Sequence, residues 1–268
     1  MTAYRQTLKH GDTITVDVAA DPVIPPVDPP PVEPPPGGIE VKVGQLTQSF
    51  LDARKDGDVL LLRGGDHPAK FLIVRKKLTI QNWQGEVPVL TNPGRPDFLY
   101  LETDAVIRGI TFRSQSTGFD DSQGAALSEV RSPTVPIGLV WYDGCTFIGT
   151  SKMATREQLV YIADKGKPIT EVRFTNCTFD GQGSNGYGIH PYAGPSPKNI
   201  NITDCTFRNL DTNAAVLNAA NACLVKVDRC TFVATTTYAR GMYGPVDVSN
   251  SKLSGNAIGT VNNRGGNT

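Results

Sequence analysis

Ile200-Asn201-Ile202-Thr203-Asp204-Cys205-Thr206-Phe207 holds the pattern on which the fold turns. Ile200 and Ile202 alternate with polar neighbours, as they do in a strand with one buried face. Thr203-Asp204 interrupts the alternation with corner-forming side chains, and Cys205 and Phe207 resume it. The segment therefore reads as strand, sharp corner, strand. The same eight positions recur without gaps from Val140 to Phe147, from Val172 to Phe179 and from Val225 to Phe232. Looser copies run from Ala105 to Phe112 and from Val246 to Leu253, and Leu78-Thr79-Ile80-Gln81-Asn82-Trp83 begins one more.

The landmark position (Trp83, Ile110, Cys145, Cys177, Cys205, Cys230, Ser251) repeats at steps of about 21 to 35 residues. That is the period of a β-solenoid with loops inserted at some corners. Antiparallel sandwiches do not give one strand-corner-strand signature at this period, and the Leu-x-x-Leu-x-Leu pattern of leucine-rich repeats is missing. The expected fold is an all-β, right-handed, single-stranded parallel β-helix of about seven to eight coils. Stacking predicts one internal column of Phe112, Phe147, Phe179, Phe207 and Phe232, closed by Leu253. A second column holds Cys145, Cys177, Cys205 and Cys230. Leu46, Phe50 and Leu51 give a short amphipathic helix that could cap the first coil through Lys55-Asp56-Gly57-Asp58 and Val59–Leu62. Ser254–Thr268 is rich in Gly and Asn and shows no obvious cap. The last coil is therefore expected to be exposed, or covered by a neighbouring chain.

Composition narrows the function classes. Lys plus Arg and Asp plus Glu both number 26, so nothing suggests a general nucleic-acid or anionic-membrane binder, which needs a basic face. No apolar run is long enough to span a bilayer. Met1-Thr2-Ala3-Tyr4-Arg5-Gln6 lacks the apolar stretch of a signal peptide, so synthesis and retention in a cytosol is expected until assembly or release. The five cysteines are an odd count, and their spacing matches no zinc site. They read as small buried thiols, and no metal or cofactor is expected.

Three segments differ in character. Residues 1–21 include the strand-like Thr13-Ile14-Thr15-Val16-Asp17-Val18, too short to bury a core alone. Residues 22–38 carry nine of the twenty prolines and suit a stiff polyproline II spacer, roughly 45 Å from Pro22 to Pro36. Residues 39–268 form the repeat domain. An anchor, a spacer and a working head is the simplest plan.

Phe50-Leu51-Asp52-Ala53-Arg54-Lys55-Asp56-Gly57-Asp58-Val59-Leu60-Leu61-Leu62-Arg63-Gly64-Gly65 resembles the opening of pectate-lyase-like β-helix proteins. There a short helix leads through a Gly-Asp turn into the first coil. Cys-Thr-Phe after an Asn or Asp corner is similar to the same superfamily. Together the two features cover about four fifths of the chain. In plan the chain is most like the non-catalytic or spike-type β-helices of bacteriophage virions. The superfamily holds lyases, hydrolases, tailspikes and inert virion parts, so the resemblance implies fold more than activity. Its enzymes act on acidic or neutral polysaccharides lying along an outward face, using Ca²⁺-binding carboxylates with an Arg or Lys base, or two or three Asp residues as acid and base.

Three places invite comparison with such sites. Trp141-Tyr142-Asp143-Gly144 is similar to the Trp-x-Asp-His stretch of pectate lyases, with Gly144 in place of the His. Asp143 also shares the corner that Asn176, Asp204 and Asp228 or their neighbours occupy in other coils, and corner geometry explains it. Asp120-Asp121 lies in a Ser- and Gly-rich insert, where a solvated loop explains adjacent carboxylates. Tyr187, His190 and Tyr192 could stack on a sugar, or the His could shuttle a proton. No complete lyase or hydrolase set emerges. The expectation is a bacteriophage virion surface protein: a decoration, head fibre or small spike. It would attach to a capsid or tail protein through residues 1–21, form a homotrimer, and touch a cell-surface polysaccharide. A depolymerase and a non-catalytic glycan-binding module are the alternatives.

Overall fold

The computed structural model describes residues 37–94, 98–116, 126–150, 158–184, 186–192, 198–210, 214–217, 223–233, 240–243, 245–253, 256–258 and 261–268. By internal contacts the chain divides into Met1–Glu33 and Pro34–Thr268. The predicted anchor, most of the spacer, and the Asp120-Asp121 pair lie outside the described residues.

Pro34–Thr268 is a parallel β-helix. Among the described residues, coils 1 to 7 each give one strand in turn to three sheets of ten, seven and eight strands, and the pairings are parallel. Coil 1 comprises Val59–Leu62, Gly65–Pro68 and Leu72–Val74; coil 2, Leu78–Asn82, Pro88–Gly94 and Leu99–Leu101; coil 3, Ala105–Arg108, Thr111–Ser116 and Ala126–Arg131. Coil 4 comprises Ile137–Asp143, Thr146–Ile148 and Gln158–Ala163; coil 5, Ile169–Thr175, Thr178–Ser184 and Tyr187–Pro191; coil 6, Lys198–Thr203, Thr206–Leu210 and Ala214–Leu217. Coil 7 comprises Cys223–Asp228, Thr231–Val233 and Arg240–Tyr243. In coil 8, Val246–Ser249 and Asn256–Ile258 flank a single bridge at Lys252. The right-hand rule for parallel crossovers sets the hand of the coil.

The repeat read from the sequence is the corner between the first and second sheets. From Ile110 onward the residue before each landmark takes the left-handed conformation, with φ of 60° at Gly109, 62° at Gly144, 55° at Asn176, 54° at Asp204, 50° at Arg229 and 49° at Asn250. Gly and Asn enter this region at low cost, whereas Arg229 is strained there. Arg229 forks onto Asp204 at 2.8 and 2.9 Å and also pairs with Asp228. Asp143 is thus the last strand residue, aligned with Thr175, and Gly144 beside it makes the turn.

Both predicted columns stand. Phe112, Phe147, Phe179, Phe207 and Phe232 are buried and stacked nearly parallel, with successive centroids 4.8, 5.0, 4.6 and 4.7 Å apart. The buried Tyr142 and Phe174 form a second stack at 5.0 Å, with their rings edge-on to Phe147 and Phe179. Cys145, Cys177, Cys205 and Cys230 are buried thiols outside any disulfide, and they do more than fill space. Cys177 N–H donates to Cys205 Sγ at 3.4 Å, Cys205 N–H to Cys230 Sγ at 3.4 Å, and Cys230 N–H to Ser251 Oγ at 3.0 Å. Each thiol in turn donates to a corner carbonyl, such as Thr203 O from Cys205 at 3.2 Å. The column satisfies corner amides that would otherwise be buried without partners.

Both ends are covered. Thr47 caps the helix Gln48–Asp52 by accepting Phe50 N–H at 3.2 Å. The Gln48 side-chain amide then pairs with both Ile73 backbone groups, at 2.7 and 3.0 Å, and so closes the free edge of the third sheet. At the other end the expectation of a bare last coil is corrected. Val261–Asn263 adds a tenth strand to the first sheet, and Asn267 Oδ1 accepts Ser251 N–H at 2.7 Å, taking the place of a further landmark residue. Asn250 and Leu253 donate to Gly265 and Thr268 carbonyls at 3.0 and 2.7 Å. Asn263 follows Val248 in the inward column, so the apolar stack ends on a polar side chain. The tail was legible only as composition because its role depends on which groups it meets.

Candidate functional site

The outward face of the third sheet gathers the aromatic side chains. In-register pairing aligns Ile73, Tyr100, Glu129, Tyr161 and His190 on successive coils. Side chains alternate along a strand, so these positions face out while Leu99, Leu101, Val130, Val160, Ile162 and Ile189 fill the core. Tyr187 pairs with Gln158 three residues upstream of this row and reaches it through its ring contact with His190, and Tyr192 follows just after the strand. Gly188 lies between them because coil 6 leaves no room: a Cβ there would stand 2.3 Å from Ala215 O.

Tyr161 and His190 meet edge to face at 5.3 Å, Tyr187 tilts on His190 at 5.3 Å, and Tyr161 and Tyr192 are 6.1 Å apart. Tyr192 is 52% exposed, the outer member of the cluster. Three coils along, Phe71 stacks on Tyr100 at 6.2 Å, and the Arg131 guanidinium lies 4.0 Å over the Tyr100 ring. The sequence reading found Tyr187, His190 and Tyr192, which are local to one another. It missed Tyr161 and Tyr100, which join them through stacking. The available signal was the apolar-x-apolar third strand of each coil, whose middle position is Tyr100, Glu129, Tyr161 and His190.

Burial lowers His190 from the usual imidazole range to about 4, and its Nδ1 is buried with no hydrogen-bond partner among the described residues. The ring is therefore the neutral imidazole at physiological pH, with one N–H, and not the imidazolium. Burial, with Glu129 and Tyr192 nearby, raises the Tyr161 phenol to about 12. Both are flat, uncharged rings under physiological conditions.

Asp143 sits elsewhere, on the outward face of the first sheet. Its carboxylate is 3.4 Å from Arg108 Nε, and the Arg108 guanidinium lies 4.7 Å over Trp141. Trp141 Nε1–H donates to Thr175 Oγ1 at 3.1 Å. Asp143 and His190 are therefore on different sheets and do not share a site. Other carboxylates stand in similar ladders. Burial disfavours the Asp180 carboxylate, but Asn209, Gln182 and Arg208 outweigh it and hold the group below the usual range. Asp204, Asp228 and Asp247 are likewise lowered, each by hydrogen bonds from Arg or Asn side chains.

Among the described residues no three His, Cys, Asp or Glu side chains converge as a metal site. No helix among them is long and apolar enough to cross a membrane. An open groove of about 530 Å³ on the second sheet is lined by Arg113, Ser114, Ile148, Gly149, Thr150 and Gln182. No protein-family model matches the chain, and no curated protein matches its sequence.

Proposed function

We propose that this chain is a surface protein of a bacteriophage particle, a decoration, head fibre or small spike, whose β-helix contacts a cell-surface glycan. The observation that carries the reading is the outward cluster of Tyr161, Tyr187, His190 and Tyr192 on the third sheet. Flat rings held by a rigid sheet offer stacking surface to sugars at little conformational cost. Support also comes from the plan of the chain: a strand-like segment at 1–21, a proline-rich spacer at 22–38, and a stacked rod behind it. A rod whose backbone groups pair from coil to coil resists local opening, which suits a particle surface.

The test is a panel of bacterial surface polysaccharides presented to the purified chain. Binding should fall at least tenfold in Tyr161→Ala and Tyr187→Ala, with melting unchanged. Retained binding in both variants would remove the cluster from the account. Release of reducing ends or of unsaturated products would replace it with the depolymerase alternative, built on carboxylates such as Asp120 and Asp121. Separately, deleting residues 1–38 should abolish incorporation into particles, and normal incorporation would sink the anchoring role.

A further inference from the structure

Ion pairs along the surface of the rod keep their cations in water. Arg75, Lys77, Arg208 and Arg229 stay at least half exposed while paired to Glu102, Asp104, Asp180 and Asp204. Lys198 and Asp164 differ: both side chains are 0% exposed, with Nζ 2.9 Å from Oδ2. A lysine stem normally carries its ammonium to the surface, and here it does not. Among the described residues Nζ, Oδ1 and Oδ2 have no hydrogen-bond partner, so the two groups meet in contact but without hydrogen-bond alignment. Burial of two charges costs more than their attraction returns unless further hydrogen bonds complete the pair.

The pair lies where the third sheet passes to the first. Asp164 directly follows the third strand of coil 4. Lys198 opens coil 6, whereas coils 4, 5 and 7 open with the buried Ile137, Ile169 and Cys223. Packing therefore asks for an apolar side chain at this position, and a lysine there needs another reason. Burial raises the thiol of Cys223, in register with Lys198, and the Lys198 and Asp164 charges act on it in opposite senses. All three groups thus share one enclosed corner. The backbone on both sides is held. Behind Asp164, Lys167 N–H donates to Ser132 O at 2.9 Å and Ile137 N–H to Pro168 O at 3.0 Å, while the Lys198 strand pairs with coils 5 and 7. The two reacting groups are kept in contact by the fold itself.

We propose that Lys198 and Asp164 condense into an intramolecular isopeptide bond once the chain has folded. The ammonium passes one proton to the carboxylate. The freed amine nitrogen adds to Cγ of Asp164, forming the N–C bond, and the C–OH bond breaks. The hydroxyl leaves with a second nitrogen proton as water. One ammonium and one carboxylate become one amide and one water, so atoms and charge balance and no oxidant or cofactor takes part. Proximity drives the step, because groups already in contact need no encounter, and two buried charges disappear in it. The bond joins the corner before coil 5 to the corner after it, and so encloses the coil that carries Tyr187 and His190. A solenoid opens through the loss of nearest-neighbour contacts, and this link bars coil 4 from parting from coil 6.

The experiment is an intact-mass measurement on the full chain, purified in its folded form and then denatured in acid with reductant. The mass should lie one water, about 18 Da, below that of the sequence. Tryptic digestion should then release the peptide holding Asp164 joined to the peptide holding Lys198, through a bond that survives denaturant and reductant. Lys198→Arg and Asp164→Ala should each restore the full mass and yield two separate peptides. A wild-type chain at full mass overturns the proposal and leaves a plain buried ion pair. A loss of water that persists in both variants overturns it as well, because the dehydration then lies elsewhere in the chain. The wild-type mass and digest decide the question even where a variant fails to fold.

Discussion

Replacing Phe179 by Ala tests the stack that the repeat encodes. Phe179 is fully buried and lies between Phe147 at 5.0 Å and Phe207 at 4.6 Å, with Phe174 edge-on at 5.6 Å. A buried Phe→Ala change costs about 3–5 kcal/mol, from lost transfer energy and the cavity left behind. Aromatic pairs add about 0.5–1.5 kcal/mol each beyond area, which places Phe179 at about 4–5 kcal/mol. Phe232 loses the same atoms, but it closes the described Phe column, stacked on Phe207 at 4.7 Å and followed by the half-buried Leu253. Its neighbours can relax, so Phe232→Ala should cost about 3 kcal/mol. Urea unfolding followed by the fluorescence of Trp83 and Trp141 measures both, with stability taken from the midpoint at unchanged slope. A cost below about 2 kcal/mol for Phe179, or equal costs for the two, would show that the column is ordinary volume rather than a coupled stack.

Three further outcomes are expected. Cys205→Ser keeps an acceptor for Cys177 N–H, as Ser251 does for Cys230 N–H, whereas Cys205→Val orphans that amide. Val should therefore be the worse by about 1–3 kcal/mol in the same unfolding assay, and a Val variant as stable as the Ser one would leave the thiols with packing alone. Lys198→Ala strands the fully buried Asp164 carboxylate and should cost about 3–5 kcal/mol, while Lys198→Met/Asp164→Leu strands no charge and should be the more stable of the two variants. A double variant no more stable than the single one would show that the stranded charge is not the cost. His190 has a lowered folded pKa of about 4, so the unfolded chain takes up its proton first. Its contribution is full above pH 6.5 and is lost as pH falls toward 4, by up to about 3 kcal/mol. His190→Gln should flatten that part of the stability profile, and an unchanged slope would show that the ring is not buried neutral.

The repeat made the fold legible because the strand-corner-strand unit is short and local. Alternation names the inward positions, and a left-handed corner selects Gly, Asn or Asp, so Gly144, Asn176 and Asp204 announce the turn before any contact is known. The Phe column follows from repetition alone. The cysteine column was legible as buried matter but not as a hydrogen-bond ladder, since its amide partners lie a full coil away. Of the aromatic surface, the sequence showed Tyr187, His190 and Tyr192 within one strand and its end. Tyr161 and Tyr100 entered only when register laid three other coils beside them.

What the amino-acid sequence determined by itself was therefore the solenoid, its corners and its interior columns, because each depends on spacing within a few residues. The tertiary structure decided three things. Asp143 was placed on another sheet, away from His190. The Gly- and Asn-rich tail was laid over the last coil. Rings from separate coils were gathered into one outward cluster. Each depends on which coil lands on which, a relation between residues some 25 apart that inserted loops of variable length hide from the sequence.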